Sequence, residues 1–506
     1  MSKRQTGSGP TVRVTVGSRG GREVFRAARE AADGGVDVRQ VGPTGATDRE
    51  PLVAMTLDGR TAMYGGVTPS GVRGLLGPFP DELLEPPAEA IGEGDALPLP
   101  SEGPLATGER RVLARCGWVD PTDTLPVGDT DPDTLESIAR QTGVLGRGRA
   151  DAADGPVVEA WDEAREADGD PVVVVNGNDA DPNADADRLL LESDPASVLD
   201  GAFAVTDVVD ATDVVVFIGD RHGIARSRLG ALSDALAESE APVGPGDFEV
   251  VTGPNDFEVG EPTMALEALE GNDRIEARRR PPGPATYGLY GRPTVVHTPR
   301  TLAQLRELVR AEAAKDHVGA PDDPGTRLVT VCGDSHRATV ELPTDASLSR
   351  ALDAVDSPGP GGRQEFEMAC VGGQFGGLTR SLDVPASADA MAAADLGENG
   401  VVELFDDSRC AVAFAGRRAR FAEKRNCGRC VPCREGSKQL QEKLRDVYDG
   451  EYDAAGLREL LRSMRDTSIC QFGVAAARPA RTAIEEFEPE FLAHADGRCP
   501  SGECEP

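Results

Sequence analysis

Apolar and polar positions alternate from the start of the chain: residues 11–16 read TVRVTV, the pattern of a strand with one face turned inward. The next stretch, GREVFRAAREAADG, carries its apolar residues at helical spacing and stops on Gly. PLVAMTLDGRTAMYGGV then returns to period two around Asp58 and Gly59, which predicts a hairpin. Residues 1–85 are therefore expected to form a small α/β unit, followed over 86–109 by a linker rich in Pro, Gly and Glu.

Beyond Arg110 the pattern changes. DTLESIARQTG is helical, while PVVVVNGND and ATDVVVFIGD are unbroken apolar runs that end in polar residues. Such runs are the mark of strands covered on both faces, and an apolar strand that delivers a polar loop is a usual ligand position in α/β proteins. This unit is expected over 110–310. A compact strand-rich unit follows over 311–390 (TRLVTVCGD, ATVELP, SLSRALDAV), then a mostly helical one over 391–495 and a Cys-containing tail over 496–506. At 506 residues the chain exceeds what one core organises, so an α/β multidomain protein is expected.

Composition narrows the function classes. No segment approaches the run of about 20 apolar residues that a membrane helix needs, so no direct membrane insertion is expected. The opening MSKRQTGSGPTVRVTV has no apolar core of signal-peptide length, and a cytoplasmic protein is expected. The formal net charge is -34, with acidic residues in nearly every segment; nucleic acid is excluded as a partner. Dispersed acidity of this size fits a halophilic protein in a salt-rich cytoplasm, where screening shortens carboxylate repulsion.

Ten cysteines are too few for a disulfide framework of this length, and a cytoplasmic setting keeps thiols reduced. Clustered ones are metal or redox candidates. Cys427, Cys430 and Cys433 form C-x2-C-x2-C in NCGRCVPCREG, and a predicted helical hairpin brings Cys470 back as a fourth thiol. Four thiolates so arranged suit a [4Fe-4S] cluster. Zinc more commonly uses two C-x2-C pairs or Cys with His, and no His lies near the triad. Cys116, Cys332, Cys370 and Cys410 sit on apolar or strand-like runs as structural or buried small hydrophobes, and Cys499 and Cys504 read as tail thiols, with a second metal held together with a partner protein as the alternative. The five His residues, among them His297 and His494, are scattered and predict no His-based metal site.

NCGRCVPCREG followed by TSICQFGVAAARP resembles the flavin-bearing F subunit of NADH:quinone oxidoreductase, complex I, a family with relatives among hydrogenases and formate dehydrogenases. The likeness extends to GEPTMALEALEGNDRIEARRRPPGPATYGLYGRPTVVHTPRTLAQL, to VVVVNGNDADPNADADRLLLESDP and to TGVLGRGRADAADG. It implies a thioredoxin-like N-terminal domain, an FMN-binding-type α/β domain, a β-grasp domain of the soluble ligand-binding (SLBB-like) type and a C-terminal helical iron-sulfur domain. It also implies that Cys427, Cys430, Cys433 and Cys470 hold a [4Fe-4S] cluster. Gly146, Arg147, Gly148, Asn176, Asp179, Asp181, Gly260, Glu261 and Thr301 would then line an FMN and NAD(H) site. The other subunits of a redox complex are the implied partners, with NAD(P)H as substrate.

The likeness breaks at particular residues. After Gly148 the family's Gly-Ala-Gly-Phe becomes Arg149, Ala150, Asp151 and Ala152, which sets a carboxylate close to where the flavin phosphate should lie. Phe257 replaces a Tyr, Pro262 a Glu, and His297 and Thr298 an Asn pair. The N-terminal unit has no cysteine before Cys116, and Pro43 and Thr47 stand where [2Fe-2S] ligands would fall. The expected function is electron transfer from NAD(P)H through FMN to a [4Fe-4S] cluster. A flavin-free [4Fe-4S] relay or structural subunit and a zinc-stapled scaffold are the alternatives.

Overall fold

In a computed structural model of the chain, the structure describes residues 9–17, 20–83, 87–126, 128, 130–151, 155–178, 180–239, 248–333, 336–355 and 366–504. Among the described residues are three larger sheets, a two-stranded ribbon of Gly319–Ala320 with Asp323–Pro324, and a terminal group of helices. Among the described residues no helix is long and apolar enough to cross a membrane.

The N-terminal sheet has five strands in the order Asp37–Val41, Thr11–Thr15, Val53–Leu57, Arg60–Tyr64 and Ala90–Glu93. Its first two strands are parallel, joined by the helix Gly21–Ala31, and the other pairs are antiparallel. All five residues of Thr11–Thr15 are buried, although the alternating pattern predicts one wet face. The reason lies in the stretch expected as a linker. Ala90–Glu93 is the fifth strand, and Leu97 and Leu105 pack with Ala54, Met63 and Trp118 over the sheet's second face. The Arg13 guanidinium lies 3.8 Å from the centre of the Trp118 ring, which is how a polar residue is covered there.

The central sheet is wholly parallel, in the order Glu249–Gly253, Asp213–Gly219, Val172–Asn176, Thr294–His297. Its unbroken apolar strands are covered twice. Val173, Val175, Val214, Val216 and Ile218 meet the main core with helices Ala186–Ser193, Pro195–Val208 and Pro299–Ala314, while Val172, Val174 and Val215 face Leu266 and Leu289. Strand order reverses between Val172–Asn176 and Thr294–His297. The crevice at the carboxyl ends of those two strands is the place where such sheets bind ligands.

The third sheet is mixed, in the order Arg337–Pro343, Thr326–Cys332, Val401–Phe405, Met368–Val371, Gly377–Thr379. Val401–Phe405 is its middle strand, parallel to Thr326–Cys332, so this unit runs past residue 390, where the apolar pattern suggests an end. Helices Ala411–Arg425, Val431–Asp446, Ala454–Thr467, Gln471–Ala476 and Arg478–Ala495 then complete the chain around a core that includes Phe414, Leu440, Leu461, Phe472 and Phe487.

Candidate functional site

The Gly-rich loop over 145–151 lies across the crevice of the central sheet. Asn176, at the end of its strand, donates from Nδ2 to the carbonyls of Ala150 at 2.8 Å and Gly260 at 3.5 Å, joining the loop to the segment before helix Pro262–Leu269. Gly148 has φ +80°, and a Cβ there would stand 2.9 Å from the Arg300 guanidinium, so only Gly lets the loop pass. Arg300 is itself held by Asp187 in a buried pair at 2.5 Å.

Helix Pro299–Ala314 points its N-terminus at the loop, and Thr298 caps it by accepting from the Thr301 N–H. A helix N-terminus is an anion seat, because its first N–H groups have no partner within the helix. The Arg300 N–H in its first turn donates to Asp187 at 3.1 Å, and Asp151 sits just outside that turn. Asp151 Oδ2 accepts from the Thr301 hydroxyl at 2.8 Å, the Thr298 N–H at 3.3 Å and His297 Nδ1 at 3.1 Å. The Trp161 indole N–H donates to His297 Nε2 at 2.9 Å, which places the ring proton on Nδ1 and aims it at the carboxylate. Asp151, His297, Thr298 and Thr301 are all buried.

Arg149 occupies the next position. Its guanidinium stacks 3.7 Å from the centre of the Phe257 ring and donates to the Phe257 carbonyl, and a Cβ on Gly260 would collide with it. Phe257 in turn meets Phe375 of the third sheet and Phe421 and Phe472 of the helices edge to face, with centroids 5.0 to 5.9 Å away. Three units meet at this ring.

Beside it opens a cavity of about 340 Å³ lined by Gly146, Gly148, Arg149, Glu261, Phe375 and Phe472, among others. That volume lies within the range of small-molecule sites. Glu261 caps helix Pro262–Leu269, accepting from the Met264 N–H at 2.9 Å and the Thr263 hydroxyl at 2.5 Å. The far wall is Gln471, Phe472, Ala475 and Arg478, the segment that directly follows Cys470.

The C-x2-C-x2-C segment turns tightly between helices Ala411–Arg425 and Val431–Asp446. Gly428 takes φ +77°, and Arg434 Nη1 donates to its carbonyl at 2.8 Å. Arg429 Nη1 donates to the Ala277 carbonyl at 2.7 Å and Arg425 pairs with Asp256 at 2.6 Å, which fasten this segment to the central unit. Burial pushes the Cys433 thiol up, and Cys430, Cys470 and Cys427 around it add to the shift. Burial also pushes Cys470 up, to about 12, helped by the nearby Glu261 carboxylate and opposed by the N–H groups of Gly473 and Phe472. Thiols held this way ionise when a cation compensates them, the chemistry of a metal-ligand set. A Cβ on Gly473 would stand 3.0 Å from that of Cys433, so Gly is what lets helix Gln471–Ala476 close over the triad.

The residues expected at the site divide accordingly. Gly146, Gly148 and Glu261 line the cavity, and Asn176 and Gly260 frame it. Arg147 turns away: its guanidinium pairs with Asp323 of the third unit, and its backbone N–H donates to Thr301. Thr301 serves Asp151 and the loop backbone. Asp181 accepts from the Gln374 N–H at 2.9 Å and lines a separate cavity, and Asp179 lies outside the described residues. Phe375 lines the cavity although no sequence motif marks it, and Phe472 and Arg478 line it although their stretch, TSICQFGVAAARP, points by itself only to the iron-sulfur site.

Known proteins resemble this chain in sequence and fold. Residues 139–307 match the family described as the Nuo51 FMN-binding domain, and residues 413–494 match the NADH-ubiquinone oxidoreductase-F iron-sulfur binding region. The F 2 subunit of NADH-quinone oxidoreductase from Rhizobium meliloti (strain 1021) is 30% identical over 395 residues, 74% of this chain and 92% of that protein. The HndC subunit of the NADP-reducing hydrogenase from Solidesulfovibrio fructosivorans is 28% identical over 425 residues, 78% of this chain and 85% of that protein. Among solved structures, an NAD+-reducing [NiFe]-hydrogenase in the air-oxidized state aligns with a TM-score of 0.65 at 23% identity, covering 99% of this chain and 91% of the matched chain, a likeness of fold.

Proposed function

The chain belongs to the family of NADH-quinone oxidoreductase F subunits, and from that premise we propose that it carries electrons from a reduced nicotinamide through FMN to one [4Fe-4S] cluster within a multi-subunit redox complex. The observation that carries this reading is the shared wall: the cavity edged by Gly146, Gly148 and Glu261 is closed on its other side by Gln471 and Phe472, next to the cluster ligand Cys470. When bound, a flavin supplies the conversion of a two-electron donor into one-electron steps, and the cluster accepts them singly.

The chain's own residues do the rest. Cys427, Cys430, Cys433 and Cys470 hold the cluster, and the N–H groups of Phe472 and Gly473 favour the charged sulfur of Cys470. Glu261, anchored as a helix cap, keeps a carboxylate at the edge of the cavity. Phe257, Phe375 and Phe472 exclude water between the cavity and the cluster segment. The sheet orders support a thioredoxin-like form for the N-terminal unit and a β-grasp form for the third. Without thiols the N-terminal unit is assigned a docking role: Ser193 donates to the Pro43 carbonyl at 2.6 Å, where a cluster ligand would otherwise stand.

One observation favours a second reading, a flavin-free relay. The cavity and the glycine loop fit a flavin, but the helix N-terminus that a flavin phosphate would use is taken by Asp187 and flanked by Asp151, and Arg149 packs on Phe257. Iron, sulfide and acid-released flavin, quantified on one sample purified anaerobically in high salt, separate the readings. Iron and sulfide with FMN support the first; iron and sulfide without flavin support the second. Absence of iron from anaerobically purified protein overturns both in favour of a zinc-stapled scaffold.

A further inference from the structure

Four residues outside the iron-sulfur set come together at the other end of the helical unit. The sequence pattern reads Cys410 as a buried hydrophobe, Cys499 and Cys504 as thiols of a loose tail, and His494 as part of no metal site. Instead one ligating atom from each lies within 4.8 Å of all the others. Only His494 falls inside the matched iron-sulfur region; the three cysteines lie beyond it.

We propose that Cys410, His494, Cys499 and Cys504 bind one zinc ion as a closed structural site, independent of the iron-sulfur cluster. Three thiolates and one imidazole are a standard tetrahedral zinc set with no open position. Bond lengths of about 2.3 Å to sulfur and 2.0–2.1 Å to nitrogen place the ligand atoms of one ion close together, as they are here. Among the described residues the C-x2-C-x2-C set does not gather to that radius, as suits thiolates arranged around a multi-iron core rather than one ion.

The surroundings prepare the ligands. His494 Nδ1 donates to the Glu490 carbonyl at 2.7 Å, which leaves the Nε2 lone pair facing the Cys410 sulfur at 3.4 Å. This is the usual way a protein orients a ligating imidazole. The Ala413 N–H at 3.3 Å points at Cys410 Sγ, the Tyr448 hydroxyl lies 3.5 Å from Cys504 Sγ and Ser501 Oγ lies 3.3 Å from Cys499 Sγ. Glu503, between the tail thiols, accepts from the Cys410 N–H at 2.7 Å and pairs with Arg417 at 2.7 Å, holding the C-x4-C loop against helix Ala411–Arg425.

The location defines the role. Cys410 caps the start of helix Ala411–Arg425, whose other end leads into Cys427, so the two sites stand about 22 Å apart at a rise of 1.5 Å per residue. His494 ends helix Arg478–Ala495, which leads on from the Cys470 segment. Zinc would thus clamp the two helices that flank the iron-sulfur ligands in sequence and fix the tail to both.

The test is zinc and iron content of the full chain purified with its cluster, with zinc X-ray absorption on the same sample. About one zinc per chain, with three sulfurs and one nitrogen in its shell, is the expected result. C499S/C504S, which alters only half-buried tail positions, should lose the zinc and keep the iron, while C470S should lose iron and keep zinc. Protein without zinc after purification in its presence, zinc in a four-sulfur shell, or full zinc in C499S/C504S would each overturn the proposal.

Discussion

The iron-sulfur segment and the flavin cradle sit on opposite walls of one cavity, yet they have departed from their family to different degrees. In the first, all four thiols are present, drawn together by Gly428 and Gly473, with Cys433 buried and the other three half-buried. In the second, the backbone scaffold survives in Gly146, Gly148 and Asn176, while the protein's own Asp187 holds the anion seat and Asp151 its edge. The contrast has a physical cause. A helix N-terminus accepts any anion, so an internal carboxylate can satisfy it and leave the fold intact. Four clustered thiols have no comparable internal substitute.

The largest effect should come from Cys470→Ser, which is expected to remove most of the cluster iron while the central α/β unit stays folded; iron assay and circular dichroism read the two outcomes. Full iron occupancy would remove Cys470 from the ligand set. Next is Asp187→Asn. It leaves Arg300, 4% exposed, without its carboxylate and should cost about 3–5 kcal/mol in a denaturant titration of the intact chain. A cost below about 1 kcal/mol, the range of surface pairs, would show that this pair does not hold loop and helix together.

A smaller change addresses the altered cradle itself. Replacing Arg149 and Asp151 by Gly together removes the carboxylate at the edge of the anion seat and clears the Phe257 face. Removing a carboxylate that competes for a helix N-terminus is worth up to about 2 kcal/mol, so FMN affinity should rise about tenfold in a fluorescence titration. Unchanged affinity would mean that Asp151 does not compete with the phosphate.

The least effect is one of pH. Burial pushes the Asp323 carboxyl up, but Arg147 and Arg327 outweigh it and hold it below its ordinary value. A depressed carboxyl stabilises the fold above its unfolded pKa of about 4, and that contribution is lost as pH falls through the lower folded value. Asp323→Asn should therefore flatten the acid limb of the stability curve below about pH 4 and leave the wild-type slope elsewhere unchanged. An acid limb identical to the wild type would discount the Arg147–Asp323 tie.

Much of the fold is legible along the chain. The valine runs of Val172–Asn176 and Asp213–Gly219 announce strands covered on both faces. The stretch over 86–109 misleads because Pro and Gly mark turns as well as linkers, and nothing local shows that Leu97 and Leu105 will find the second face of the N-terminal sheet. The strand Val401–Phe405 is hidden for a related reason: its parallel partner, Thr326–Cys332, lies far back in the chain. Ligand spacing within one turn identifies Cys427, Cys430 and Cys433, whereas Cys410 and His494 are 84 residues apart and meet only through helix packing.

Side-chain identity and near neighbours were enough to fix the local chemistry: which strands are apolar throughout, where three thiols recur at cluster spacing, and that a carboxylate had entered the glycine loop. Those features depend on residues a few positions apart. Folding alone decided that Asp151 meets Thr298 at the start of helix Pro299–Ala314, that Arg147 turns to Asp323, that Phe257 joins three units, and that Cys410, His494, Cys499 and Cys504 converge. Each of these needs segments far apart in the chain to be brought together by burial of their apolar faces, and that force is non-directional, so it leaves no local signature.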